Sequence, residues 1–302
     1  MKATLAFLLA LILTGSVFAK EIKTSFENDR IFAKLRFNGV EAIMLLDSGG
    51  NTGLFPEYVF YWKTEGSKVE KNYLKFLNKG PFDNFPKDVL TDNSIRLMSG
   101  QDEELVMIRK VVKDGLFGHA WFGNRLWQLS YSEKSLKLLN KIDSPRGQKV
   151  PLFFKGIGYF YPRMSISVED ESLDVLFDTG GTSVLSEVAM NELNLKDAIV
   201  ASSFIRESIF NKWQNKHPDW KVIQAGDRFG NNDLIRVPLV VVAGKKIGPI
   251  WFAKRPNSAY DEMMSQYMDC KCAGAIGGNV LKYFDITLDY PNKAAWFYRN
   301  SF

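Results

Sequence analysis

Cysteine and histidine are scarce in this chain of 302 residues, with two of each. Cys270 and Cys272, in Asp269-Cys270-Lys271-Cys272, are too few for a four-sulfur zinc site, and His119 and His217 have no metal-ligand spacing. The residues therefore call for no metal and no organic cofactor, and both histidines read as surface or packing groups. A local disulfide between Cys270 and Cys272 stays open beside two free thiols, although so short a loop strains the bond. Long apolar runs are also missing. The longest, Leu5 to Leu13, is short for a membrane span. With Lys2 before it and Val17-Phe18-Ala19 after it, residues 1–19 read as a signal peptide. The mature chain is then expected to begin at Lys20, exported to the periplasm or the medium, with no stable membrane insertion. Blocks of one charge are absent too. Lys and Arg (39) and Asp and Glu (34) are interspersed, so the net +5 forms no basic stripe of the kind nucleic acid needs.

What is present is a repeat. Leu45-Leu46-Asp47-Ser48-Gly49-Gly50 matches Leu176-Phe177-Asp178-Thr179-Gly180-Gly181, at an offset of 131 residues. The same offset sets Thr52-Gly53-Leu54 against Ser183-Val184-Leu185. A second pair follows at an offset of 159: Gly115-Leu116-Phe117-Gly118 with Gly274-Ala275-Ile276-Gly277. That offset also carries Leu129-Ser130-Tyr131 onto Leu288-Asp289-Tyr290. The difference implies an insertion of 28 residues between the two motifs of the second half. The chain thus reads as two related units.

Each unit alternates apolar and polar residues like a sheet. Phe32 to Phe37, a turn at Asn38-Gly39 and Glu41 to Leu46 predict a hairpin running into Asp47. Arg163 to Val168, a turn over Glu169 to Ser172 and Leu173 to Phe177 predict its counterpart running into Asp178. Helices are expected over Ser186 to Leu193 and Asp197 to Trp213, with strands from Lys221 onward, clearest at Leu239 to Val242 and Ile250 to Phe252. Closing hairpins should turn near Ser132-Glu133 and Pro291-Asn292, with Tyr131 and Tyr290 in matching structural places. Trp251 and Trp296 lie in strand-like segments and are expected in the core. The polar stretch Asn140 to Pro151 separates an N-terminal lobe (20–141) and a C-terminal lobe (152–302), with the linker placed at 142–151.

These motif pairs resemble the pepsin-like and retropepsin-like aspartic proteases. An apolar pair precedes Asp-Ser/Thr-Gly, and two apolar residues and a glycine follow later. Phe284-Asp285-Ile286-Thr287-Leu288-Asp289-Tyr290-Pro291 is similar to the family's closing strand. The resemblance covers residues 20 to 302 in outline and implies an all-β fold with a few helices, in which two β-barrel-like lobes are related by a pseudo-twofold axis. It makes Asp47 and Asp178 the catalytic pair of a compact, monomeric endopeptidase acting on peptides or proteins. Ser48 and Thr179 would exchange hydroxyl bonds between the lobes, Gly49 and Gly180 complete the loops, and Gly118 and Gly277 lie beneath them. Two such carboxylates share a proton, so one can activate water while the other protonates the peptide carbonyl.

The chain departs from the family at Gly50 and Gly181, where Ser or Ala is common. The missing hydroxyl is expected to raise the dyad's pKa by removing a bond to the charged form. Tyr73 and Phe76 are the candidates for the aromatic residue of the family's flap. The alternative function is a catalytically inactive, peptide-binding relative in the cell envelope. Asp47-Ser48-Gly49-Gly50 is also similar to the nucleophile loop of trypsin-like serine proteases. There, however, Gly precedes the Asp and a His precedes the Ser, whereas Leu46 stands here and neither His precedes Ser48.

Overall fold

The computed structural model describes residues 19–37, 40–54, 73–75, 94–97 and 102–300. The expected signal segment (except Ala19), the expected turn at Asn38-Gly39 and Phe76 lie outside them. The fold is mostly β with few helices, arranged as two lobes on a shared sheet.

Each lobe is organised around the strand that enters its aspartate. Arg30–Phe37 pairs antiparallel with Val40–Leu46, which runs parallel to Gly115–Phe117. In the second lobe Arg163–Val168 pairs with Glu171–Phe177, which runs parallel to Gly274–Ile276. A third strand closes both arrangements, antiparallel to the glycine-led one: Gly53–Leu54 in the first lobe and Ser203–Arg206 in the second. The turn before Asp178 is tighter than its sequence suggests, because Glu171 and Ser172 already pair with Val168 and Ser167.

The register of these third strands corrects the repeat alignment. Gly53 faces Leu116, and Phe204 faces Ala275. Since Leu116 and Ala275 are equivalent, so are Gly53 and Phe204, at an offset of 151. The counterpart of Thr52 is therefore Ser203, not Ser183. Twenty of the 28 inserted residues lie directly after the second aspartate loop. They form Thr182–Val184, the helix Glu187–Leu193 capped by the Ser186 side chain, and Ile199–Ala201, which pairs back on Thr182–Val184.

The expected helix over Asp197 to Trp213 is also corrected. Its first half forms the strands Ile199–Ala201 and Ser203–Arg206, and the helix is Glu207–Lys216. Ile199, Val200 and Ile205 are β-branched, and Ser203 and Ile205 are the buried faces of an alternating strand. Phe210 and Trp213, three apart, anchor the helix against the core.

A six-stranded sheet joins the lobes, in the order 19–22, 135–139, 126–130, 284–289, 294–299, 148–151. The N-terminal half supplies three strands, the C-terminal lobe two, and the segment joining them the last. At the centre Gln128 pairs with Thr287, its own equivalent at offset 159, and Leu126–Asp289 mirrors Ser130–Asp285. A local twofold therefore passes between these two strands. Gln148–Pro151, within the expected linker, is a strand of this sheet. Beneath it one core runs across both lobes, including Phe117, Trp121, Trp127, Phe177, Ile286 and Phe297. Trp251 is half-buried and packs against a satellite core of Leu185, Val200, Leu234 and Ala253, whereas Trp296 departs from the expectation and lies half-buried on the outer face under the Lys149 ammonium. Among the described residues the buried tryptophans are Trp121, Trp127 and Trp213. No helix among the described residues is long and apolar enough to cross a membrane.

Candidate active site

Asp47 and Asp178 stand where the two equivalent strands end, and the fold brings their carboxyl groups into side-chain hydrogen-bond contact. The loops that carry them are held by reciprocal hydroxyl bonds. Ser48 Oγ donates to the carbonyl of Phe177 (2.8 Å) and accepts from the Thr179 N–H (3.0 Å). Thr179 Oγ1 donates to the carbonyl of Leu46 (2.8 Å) and accepts from the Ser48 N–H (3.0 Å). Both hydroxyl residues are fully buried. Small hydroxyl side chains are suited to this place because each satisfies one donor and one acceptor of the facing loop.

The glycines follow from close approach rather than from unusual torsions. A Cβ on Gly49 would lie 2.6 Å from Asp178 Cγ, and one on Gly180 would lie 2.4 Å from Asp47 Cγ. Each lobe's glycine thus rests against the other lobe's aspartate. Gly118 and Gly277 pass under the loops, with a Cβ meeting the Gly50 carbonyl oxygen at 2.3 Å and the Ser202 carbonyl oxygen at 2.0 Å. Their N–H groups donate to Thr52 Oγ1 (2.9 Å) and to Ser203 Oγ (3.0 Å). Sequence alignment alone missed Ser203, because the inserted residues separate it from its aspartate.

The pKa of Asp47 is raised well above the ordinary carboxylate value of 3.8, first by burial and then by the charge and hydrogen bond of Asp178. Burial also raises Asp178, while the hydrogen bond from Asp47 and the N–H groups of Gly180 and Gly181 pull the other way. The pair therefore keeps a proton to higher pH than an ordinary carboxylate does, and its titration belongs to both groups. Burial is the largest cause for both aspartates. There is no room for a side chain at Gly50 or Gly181. A Cβ on Gly50 would fall 2.2 Å from Asp47 Oδ2, and one on Gly181 would fall 2.6 Å from the Ser202 carbonyl oxygen. Backbone donors serve the carboxylates instead, the Gly49 N–H to Asp47 Oδ1 and the Gly180 N–H to Asp178 Oδ1, each at 3.0 Å.

Around the pair, Asn51 accepts from the Tyr161 hydroxyl (2.8 Å), and His119 stacks on Tyr161 at 3.9 Å. Burial pushes His119 down to about 4, so it is a neutral packing group that accepts from the Phe160 N–H. His217 contacts Glu169 at the far end of the helix Glu207–Lys216. Tyr131 and Tyr290 are buried in the closing hairpins. An apolar pocket of about 130 Å³ lies beside Thr182 and Val184 and takes its other wall from Ile108, Val111 and Val112 of the first lobe. A larger cavity, about 530 Å³, is lined by the Asn28-Asp29 turn, Trp251 and Lys282 and includes neither aspartate. Tyr73 lies in the short strand Tyr73–Lys75, paired with Ser94–Leu97.

Cys270 and Cys272 are not bridged: both thiols are free, with their Sγ atoms 3.9 Å apart. Among the described residues, no three His, Cys, Asp or Glu side chains gather as metal ligands.

No protein-family model matches this chain, and no curated protein matches it. Among solved structures the chain is similar to an aspartic proteinase from Irpex lacteus, at 12% identity and a TM-score of 0.49, over 94% of this chain and 98% of that one.

Proposed function

We propose that this protein is an aspartic endopeptidase in which Asp47 and Asp178 activate the water that cleaves a peptide bond. The observation that carries the reading is the half-buried, hydrogen-bonded carboxyl pair, one member from each lobe, on loops tied by Ser48 and Thr179. A carboxyl drawn partly out of water with no partner costs stability and is a poor structural device. Two in contact, each braced by backbone N–H groups, form a site that holds one proton and one negative charge side by side.

In the proposed reaction the ionised carboxylate accepts a proton from water as its oxygen attacks the peptide carbonyl. The protonated partner donates to the carbonyl oxygen, and a carboxyl then gives a proton to the departing amine. No metal or organic cofactor takes part. The apolar pocket between Val111, Val184 and Phe229 would receive a substrate side chain. Because one chain supplies both aspartates, a monomer is sufficient. The lobes act as the units 20–141 and 152–302, and the protein works outside the cytoplasm after removal of residues 1–19.

The test is cleavage of a mixed peptide library from acid to neutral pH, with Asp47→Asn and Asp178→Asn alongside. The reading requires cleavage that either substitution abolishes while the fold persists. Folded wild-type protein that cleaves nothing at any pH would refute it and favour a peptide-binding role.

A further inference from the structure

Five of the eleven sulfur-bearing residues fall within ten positions: Met263, Met264, Met268, Cys270 and Cys272. The segment leaves a π-helical turn, Ala259–Met263, and a 3-10 turn, Met264–Gln266, and then folds back on the second lobe. Met268 and Cys272 are buried, Cys270 is half-buried, and Met264 packs partly buried on the same cluster. The Cys270 and Cys272 sulfurs are 3.9 Å apart, and the Cys272 thiol donates to Met268 Sδ at 3.5 Å. Tyr161 and Tyr260 belong to the surrounding apolar wall, and Tyr267 packs against it.

We infer that Met268, Cys270 and Cys272 form a binding site for a soft monovalent d10 cation, Cu(I), with two thiolates and one thioether as ligands. The geometry carries it. Three sulfurs about 2.3 Å from one ion in a trigonal plane are about 4.0 Å apart, so the Cys270–Cys272 edge already has the required length. The Cys272–Met268 edge opens by a few tenths of an ångström, which the unbranched methionine absorbs. Thiolate and thioether sulfur select soft ions, and three sulfurs without a fourth ligand leave zinc incomplete.

The surroundings set the pH dependence. Cysteine ligates as the thiolate, so each of the two thiols gives up its proton on binding. Arg163 favours the Cys270 thiolate, while Asp269 and Asp174 oppose it; Arg163 pairs with both carboxylates, at 2.7 Å and 2.9 Å. Lys271 is exposed beside them, and Asp261 lies 4.0 Å from its ammonium. Binding is balanced as one cation in and two thiol protons out. Apparent affinity therefore rises about a hundredfold per pH unit below the thiol pKa values. The site uses neither Asp47 nor Asp178 and is independent of the proposed cleavage.

The experiment is anaerobic titration of the reduced protein with Cu(I)–bicinchoninate at several pH values. One equivalent should be withdrawn, with that steep pH dependence. Cys270→Ser and Cys272→Ser should weaken binding at least hundredfold, and the near-isosteric Met268→Leu, which keeps the core volume, about tenfold. Asp47→Asn should bind as wild type does. Three results would overturn the proposal: no copper withdrawn, undiminished binding in both serine variants, or protein isolated with both thiol hydrogens missing and the pair bridged.

Discussion

Thr179→Ala is the sharpest test of how the two loops are held. Its hydroxyl satisfies the Leu46 carbonyl and the Ser48 N–H, both in a region closed to water. Truncation leaves one acceptor and one donor buried without a partner. At about 1–3 kcal/mol each, the cost is roughly 2–6 kcal/mol. The lost methyl adds about 0.8 kcal/mol. Thr179→Ser loses the same methyl but keeps both bonds, so the difference between the variants isolates the hydroxyl. Urea unfolding followed by tryptophan fluorescence measures it directly, and thermal unfolding should separate the two by about 2 °C or more per kcal/mol. Ser48→Ala should behave likewise, because Ser48 Oγ serves the Phe177 carbonyl and the Thr179 N–H in the same way. The double variant should cost less than the sum, since the first loss already frees both loops. Thr179→Ala and Thr179→Ser unfolding within about 1 kcal/mol of each other would refute the argument.

Three further outcomes follow from the same geometry. Gly180→Ala places a methyl 2.4 Å from Asp47 Cγ and should cost about 1–3 kcal/mol, with loss of peptide cleavage; a fully active, stable variant would contradict the packing. Asp47→Asn removes a carboxyl whose folded pKa is raised, first by burial. The folded state binds the proton more tightly than the unfolded one, so the wild-type contribution is full below the ordinary 3.8 and is lost as pH rises through the folded value. The variant should therefore gain stability over wild type at neutral pH and not at acid pH, as a pH series of unfolding curves will show. Gly50→Ser should lower cleavage without moving the pH profile to acid, because its Cβ collides with Asp47 Oδ2 before any hydroxyl can bond the carboxylate.

Several features were legible without a structure because they are local. The alternating runs into Asp47 and Asp178 become Val40–Leu46 and Glu171–Phe177, since period-two patterning with one buried face specifies a strand. Ser186 caps its helix as a residue of its type does. Other features were not local. Ile199 to Ile205 carries apolar residues that suit a helix or a strand, and only pairing of its first part with Thr182–Val184 and its second with Gly274–Ile276 and Ile250–Arg255 decides for strands. Trp296 sits on a strand as expected, yet its parity places it on the outer face, which sheet packing determines and composition does not.

The amino-acid sequence by itself determined that the chain is a duplication, that each half ends a strand in Asp-Ser/Thr-Gly-Gly, and that glycine recurs before each later helix turn. Repetition and residue type survive in one dimension. Tertiary structure alone decided that Ser203, and not Ser183, answers Thr52, because twenty residues folded into their own hairpin and helix can be subtracted only once strand partners are known. It also decided why Gly50 and Gly181 lack side chains, that burial leads the causes that lift the dyad, and that the two cysteines lie unbridged beside a methionine. Each depends on distances between segments far apart in the chain, and contact across such separations is set by packing of the whole core, not by any neighbouring residue.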